Sequence, residues 1–472
     1  MSRLAIALTL AVVSSGQRHA QALQAGSWSS NGSAAGYVVE AIGRATDPAG
    51  ATVTLRSDAA AAGAFGSVGS QLVADEIRGH RVIVSGELQT RGVTRGASLW
   101  IRIDRNATML MMDNGVDRPV RGDAEWTRYT VSLPVPSDAT MIVFGLLLQG
   151  NGRVVARNVR VEAGVLLTTD GPLAEPARKT LEAALAIVKE HALRRNEVAW
   201  NVVEPRVRAY AAGSQTSSEV YPAIRFLLSE LGDHHSFLSP PSQTTAMRMG
   251  SVQNLNPEVR SASDGVGYVK VPSYQGWEPA SMRTYAERFH QSLNVLRETA
   301  TCGWIVDLRQ DGGGNMWPML AGLKPFLGDA ALGTFESPSG STPPWRAGDN
   351  VGVQPPLSLT TLESAWVAVL TGPRTASSGE AVTIAFRGRP HTRSFGLPTA
   401  GLSTANETFP LPDGAAILLT TAIEVDRTGH HFGEKIDPDQ RVDGDSTEAG
   451  DAVADVARRW LHQSSGCRQG AK

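Results

Sequence analysis

The segment Gly303-Trp304-Ile305-Val306-Asp307-Leu308 constrains the fold more than any other part of the chain. A strand with one wet face alternates apolar and polar residues. An almost unbroken apolar run instead suits a strand of a parallel sheet that is covered on both faces. Directly after it stands Asp311-Gly312-Gly313-Gly314-Asn315, where three glycines let the backbone turn sharply and leave N–H groups bare. Residues 366–370 repeat the apolar run and lead through a second turn into a helix at 378–387. Residues 267–271 and 415–421 read as further strands, and 279–298 as an amphipathic helix. Strand and helix alternate over 264–465, which predicts an α/β core.

The upstream chain has other periods. Over 23–165 the alternation is two: Leu99, Ile101 and Ile103 against Trp100 and Arg102, and Tyr129, Val131 and Leu133 against Thr130 and Ser132. Short segments of this kind, separated by Gly, Asp, Asn and Pro turns, predict an all-β sandwich. Trp100 and Trp126 are its candidates for a carbohydrate- or protein-binding face, set against plain packing of the sheets. Residues 166–241 read as a helical subdomain, with Leu181, Leu185 and Val188 at i, i+4 and i+7. Residues 242–263 read as a linker and 466–472 as a tail.

The first 22 residues read as an export signal. Arg3 is followed by the ten-residue run from Leu4 to Val13, apolar but for Thr9, and then by Ala20-Gln21-Ala22, small residues at a cleavage spacing. The run is too short to span a bilayer, which takes about 20 apolar residues. The expected location is therefore periplasmic or secreted, with no membrane span. Lys and Arg number 44 against 46 Asp and Glu, so no electrostatic footprint points to nucleic acid. Two cysteines cannot make a disulfide framework, and whether Cys302 and Cys467 pair is open at this point. His234-His235 and His430-His431 have no carboxylate or third histidine at ligand spacing, so no metal and no cofactor are expected.

Two strand-to-helix turns stand out as candidates for chemistry, each set against a plain structural reading, a tight turn for the first and a helix cap for the second. The glycine turn at 312–314 has neither the spacing of a dinucleotide fingerprint nor that of a phosphate loop. The second turn is Thr375-Ala376-Ser377-Ser378-Gly379-Glu380. Ser377-x-x-Glu380 reads as a capping box. The same serine also stands at the positive end of a helix, where a hydroxyl can be a nucleophile and the next N–H can hold an oxyanion.

In their order these motifs resemble the C-terminal processing peptidases, the tail-specific serine proteases related to the tricorn core. Residues 303–314 resemble the family's strand and glycine turn, and 375–381 its nucleophile turn. Phe395-Gly396-Leu397-Pro398-Thr399 resembles the turn that follows. Asp413-Gly414-Ala415 to Ala422 and Asp437-Pro438-Asp439 resemble its closing strands, and Leu231-Gly232-Asp233-His234-His235-Ser236 the end of its helical subdomain. The resemblance covers 170–445 and implies a ClpP/crotonase-like core acting on polypeptides. It implies Ser377 as nucleophile, with the N–H groups of Gly313 and Ser378 as oxyanion hole. About 25 residues between helical zone and core leave no room for a PDZ module.

The general base departs from that pattern. The lysine of tail-specific proteases falls at Leu402, and the histidine of tricorn-like members falls at Lys270. Two bases remain. His235, which follows Leu-Gly-Asp as in members without a PDZ module, titrates in the right range and is preferred. Lys270 is the alternative, if burial lowers its pKa. Asp233 and Glu407 are candidates to orient a histidine. The missing lysine also motivates a rival reading, a catalytically impaired member that binds a ligand or peptide.

Overall fold

The computed structural model describes residues 28–30, 35–42, 52–59, 64–106, 108–248, 255–261, 264–444, 451–464 and 467. The expected export signal lies outside the described residues. Contacts divide the chain into two units, one of residues up to 174 with 208–222, the other of 175–207 with 223 onward.

The first unit is antiparallel throughout, and hydrogen bonds join its strands into one nine-stranded sheet. Its axis is the 26-residue strand His80–Arg105. Residues Arg81 to Leu88 pair with Val120–Pro134 and Gly152–Leu166, whereas Gly96 to Asp104 pair with Met141–Gln149. Register shifts between Leu88 and Ala97 bend the strand between its two sets of partners. What alternation presents as two sheets is thus one sheet continued through a bent strand. Val82, Val84, Leu99, Ile101 and Ile103 are fully buried. Trp100 is also buried, against Val143 and Leu147. Trp126 is half-buried, and the Arg157 guanidinium covers its ring at 3.9 Å. Buried Arg81 explains why 208–222 belongs to this unit, since its guanidinium donates to the carbonyls of Tyr210 and Ala212 and to Ser214 Oγ. An unpaired buried cation would be costly; here three acceptors from one segment satisfy it.

The second unit holds the predicted α/β core. Besides the two-residue strand Gly340–Ser341, which pairs with Gly333–Ser337, its strands in chain order are β1 (Phe237–Ser239), β2 (Glu258–Ser261), β3 (Val266–Lys270), β4 (Gly303–Asp307), β5 (Gly333–Ser337), β6 (Val367–Thr371), β7 (Thr392–Gly396), β8 (Thr404–Pro410), β9 (Ala416–Asp426) and β10 (Gln440–Arg441). One sheet runs β2-β3-β4-β6-β7-β10, parallel except for the edge strand β2. The other is built on β9, which pairs antiparallel with β1, β5 and β8. Its helices are α1 (Glu175–His191), α2 (Trp200–Ala211), α3 (Tyr221–Ser229), α4 (Pro241–Arg248), α5 (Pro279–Leu296), α6 (Met316–Leu327), α7 (Ser378–Ala385) and α8 (Ala452–Ser464), the last residues of α2 and the first of α3 grouping with the first unit.

Period two sorts the sheet's side chains onto two covered faces. Val269, Trp304, Val306, Val367 and Val369 pack with α5, α6 and α7. Val266, Tyr268, Ile305, Ala368, Leu370 and Phe395 pack with Val453, Ala457 and Leu461 of α8. The apolar run 304–306 is buried on both sides, as its composition required. Pro279 starts α5 behind Glu278, whose carboxylate accepts from the N–H groups of Ala280 and Ser281. Cys302, just before β4, is bonded to Cys467 beyond α8.

Candidate active site

Ser377 sits between the carboxyl end of β6 and the first turn of α7. Its backbone is at φ 53°, ψ −121°, a region that a residue with a Cβ seldom enters. Four contacts hold it there. Thr375 Oγ1 donates to the Leu308 carbonyl at 2.9 Å, and Ala376 N–H to the Asp311 carbonyl at 2.9 Å. Ser377 N–H donates to Glu380 Oε2 at 2.9 Å, which is the glutamate's half of the capping box. The fourth is steric. A Cβ at Gly379 would stand 2.4 Å from the Asp311 carbonyl oxygen, and one at Gly313 would stand 2.8 Å from Ser377 Cβ. The two turns legible in the sequence therefore press against each other, and their glycines make the approach possible.

His235 comes from the loop between α3 and β1. Asp233 Oδ1 accepts from the N–H groups of His235 and Ser236 at 3.0 and 2.8 Å, and Asp233 Oδ2 accepts from Ser236 Oγ at 2.6 Å. Asn406 Nδ2 donates to the His235 carbonyl at 2.9 Å. So fixed, the ring reaches both sides of the site. Nε2 lies 2.9 Å from Ser377 Oγ, and Nδ1 lies 2.7 Å from Thr404 Oγ1. The ring is buried. Burial pulls its pKa down to about 4, and the nearby Asp233 opposes this only in part. At neutral pH the imidazole is uncharged and able to accept a proton.

Residues 265–442 match the family model described as Peptidase family S41. The chain carries a peptidase family S41 domain. A nisin-resistance protein of Lactococcus lactis subsp. lactis is 26% identical over 279 residues, which is 58% of this chain and 85% of that protein. The structure of a lipoprotein from Streptococcus agalactiae superposes with a TM-score of 0.53 at 25% identity, covering 62% of this chain and 98% of that one. A photosystem II D1 C-terminal processing protease is more distant, with a TM-score of 0.42 at 15% identity over 63% of this chain and 100% of that one.

Other expected site residues of the S41 domain lie as follows. Gly313 N–H donates to Asp311 Oδ1 at 3.0 Å, so the expected oxyanion donor is engaged by a carboxylate. Ser378 turns its hydroxyl to the Gly314 carbonyl at 2.6 Å, and its N–H is among those that a helix start leaves without an internal acceptor. Lys270 is not brought to Ser377. It shares the parity of Val266 and Tyr268 on β3 and so leaves the sheet on the α8 face, away from α7. There it lines a cavity of about 690 Å³ with Tyr268, Asp307, Arg309 and Arg374, to which Ser377 does not contribute. Leu402, at the family's lysine position, offers its N–H to Glu380 Oε2 at 2.8 Å. Neither carboxylate expected to orient a histidine touches the ring. Asp233 holds backbone, and Glu407 accepts from Thr421 Oγ1 at 2.8 Å. His431 faces Glu336 at 2.9 Å.

Three residues of the site are not singled out by sequence reasoning. Thr404 and Asn406 flank His235 from β8, and no composition or spacing signal marks them. Asp311 had a signal, its place at the head of the glycine turn. It is fully buried with Oδ2 unpartnered among the described residues, and burial pushes its carboxyl up to about 7. Glu380 is the hub of the site. Besides Ser377 N–H and Leu402 N–H, its carboxylate accepts from Thr399 Oγ1 and Gly401 N–H at 2.5 and 2.9 Å.

Proposed function

We propose that this protein is an exported serine peptidase that hydrolyses polypeptides through an acyl-enzyme on Ser377. The observation that carries the proposal is the 2.9 Å approach of Ser377 Oγ to Nε2 of a buried, neutral His235 at a strained turn. Ser377 Oγ attacks the peptide carbonyl carbon while its proton passes to His235 Nε2, and the carbonyl electron pair moves onto oxygen. Ser378 N–H faces that oxyanion at the positive end of α7, and Gly313 N–H joins it by leaving Asp311. Nε2 then gives the proton to the leaving amine as the C–N bond breaks. Water, activated by the same nitrogen, releases the acyl group.

Export is supported by the leader read at residues 1–22 and by the bridge between Cys302 and Cys467, a bond that persists in oxidising compartments. The similar proteins named for nisin resistance and as a lipoprotein fit a role on peptides outside the cytoplasm. A serine-reactive fluorophosphonate probe tests the reading. Label is expected on Ser377 and should vanish in Ser377→Ala. A folded, purified chain that neither labels nor cleaves a casein-derived peptide library would leave the ligand-binding alternative in its place.

A further inference from the structure

For Nε2 of His235 to accept a proton from Ser377, the ring's own hydrogen must stand on Nδ1, and its partner there fixes both tautomer and ring rotation. The group at that position is a hydroxyl, Thr404 Oγ1, at 2.7 Å. The charged groups around the ring are engaged elsewhere. In its own loop Asp233 binds backbone N–H groups and Ser236 Oγ. On β8 Glu407 accepts from Thr421, and on α7 Glu380 accepts from the turns at 377 and 399–402. Among the described residues no charged side chain hydrogen-bonds the imidazole.

We propose that Thr404 is the positioning residue of the catalytic pair, its hydroxyl accepting His235 Nδ1–H and so presenting Nε2 bare to Ser377. The proposal rests on the peptidase reading of the site. Thr404 opens β8 opposite Ile423 of β9, and a register shift follows between Ala405 and Asn406. Asn406 then donates to the His235 carbonyl and accepts from Thr420 Oγ1 at 2.8 Å, while Thr420 N–H donates to Ser236 Oγ at 3.0 Å. Ring and main chain of His235 are thus held by one strand, two positions apart.

A neutral positioning group has a chemical consequence. A carboxylate at Nδ1 would favour the imidazolium and raise the pKa of the ring; a hydroxyl brings no such charge, and burial dominates. The base stays unprotonated into acid, while the imidazolium formed during acyl transfer gains no opposite charge at Nδ1. During attack the Ser377 proton moves to Nε2. The Nδ1 proton stays where it is, its hydrogen bond to Thr404 strengthening as the ring becomes charged.

The test uses the full chain in two measurements. In protein labelled with 15N-histidine, the His235 ring of the free enzyme should show Nδ1 protonated and Nε2 bare near neutral pH. Fluorophosphonate labelling of Ser377 and peptide turnover are then followed across pH for Thr404→Ser, Thr404→Val and Thr404→Asp. Thr404→Ser should stay within a few-fold of the parent. Thr404→Val should lose about tenfold in kcat, the scale of one neutral hydrogen bond, with KM unchanged. Thr404→Asp should move the acid limb of the rate profile up by about one pH unit or more. A ring protonated on Nε2 in the parent, or Thr404→Val at the parent's rate and pH profile, overturns the proposal. If Ser377 fails to label in the parent at every pH, the peptidase reading falls, and the ring tautomer still decides what Thr404 does.

Discussion

At the scale of the residue, the strain at Ser377 separates function from stability. A side chain at φ 53°, ψ −121° costs on the order of 1 kcal/mol that glycine does not. Ser377→Gly and Ser377→Ala should both be inactive, yet the glycine variant should be the more stable by about 1 kcal/mol in urea denaturation. Equal midpoints would mean that the turn is not strained. Two buried titratable groups near this residue act in opposite directions. His235 has its pKa lowered from 6.5 to about 4, so between those values the unfolded chain binds the proton and the fold is weakened as pH falls. Asp311 has its pKa raised from 3.8 to about 7, so in that window the folded state binds the proton and the fold is weakened as pH rises. Relative to His235→Gln, the parent should lose roughly 3 kcal/mol on going from pH 6.5 to 4. Relative to Asp311→Asn, the parent should gain stability over the same descent. Thermal melts at half-unit pH intervals check both, and parallel curves for parent and variant would exclude the assigned shift.

At the scale of the element, one carboxylate joins two turns. Glu380 accepts from Ser377 N–H on one side and from Thr399, Gly401 and Leu402 on the other, just ahead of the strand that carries Thr404. Burial raises its pKa, and the four donors work against that rise. Glu380→Gln keeps the shape but turns an NH₂ toward donors. It should cost about 2–3 kcal/mol, the scale of buried groups left unpaired, and lower turnover by one to two orders of magnitude through the displaced serine. Full activity in that variant would show that the turn holds without it. The capping box thus gave Glu380 away in the sequence, though only its local half. Its bonds to 399–402 span some twenty residues and left no local trace. The same contrast runs through the fold. Strands β4 and β6 were legible because burial on both faces leaves an unbroken apolar run. Helix α6 was legible only through the turn ahead of it: every residue but Trp317 is buried, so no polar stripe sets a helical period. Ser377 and His235 could be proposed from residue type and motif. Thr404 could not, because a threonine opening a strand is ordinary and becomes special only through a ring that arrives from 169 residues away.

At the scale of the whole molecule, the bridge between Cys302 and Cys467 closes a loop of 165 residues around most of the α/β core, from the start of β4 to the chain beyond α8. That loop contains Ser377 and Thr404 but not His235. By the chain-entropy argument, cross-linking so long a loop stabilises the fold by about 5 kcal/mol, mainly by restricting the unfolded state. The bridge also anchors α8, which covers the sheet face formed by Val266, Ile305, Leu370 and Phe395. Ser377 stands on the other face, at the start of α7, and the contacts of its turn to Glu380, Asp311 and His235 do not pass through α8. Stability and chemistry should therefore separate. The double variant Cys302→Ser, Cys467→Ser should unfold at a clearly lower urea concentration than the oxidised parent. At 25 °C in buffer without denaturant, where it remains folded, it should label with fluorophosphonate at the parent's rate. Treating the parent with dithiothreitol should reproduce both results, because the bond and not the sulfur atoms makes the difference. A labelling rate that drops in step with reduction, while the circular dichroism spectrum stays native, would show that α8 couples across the sheet to the turn at Ser377, and that the two faces are not independent.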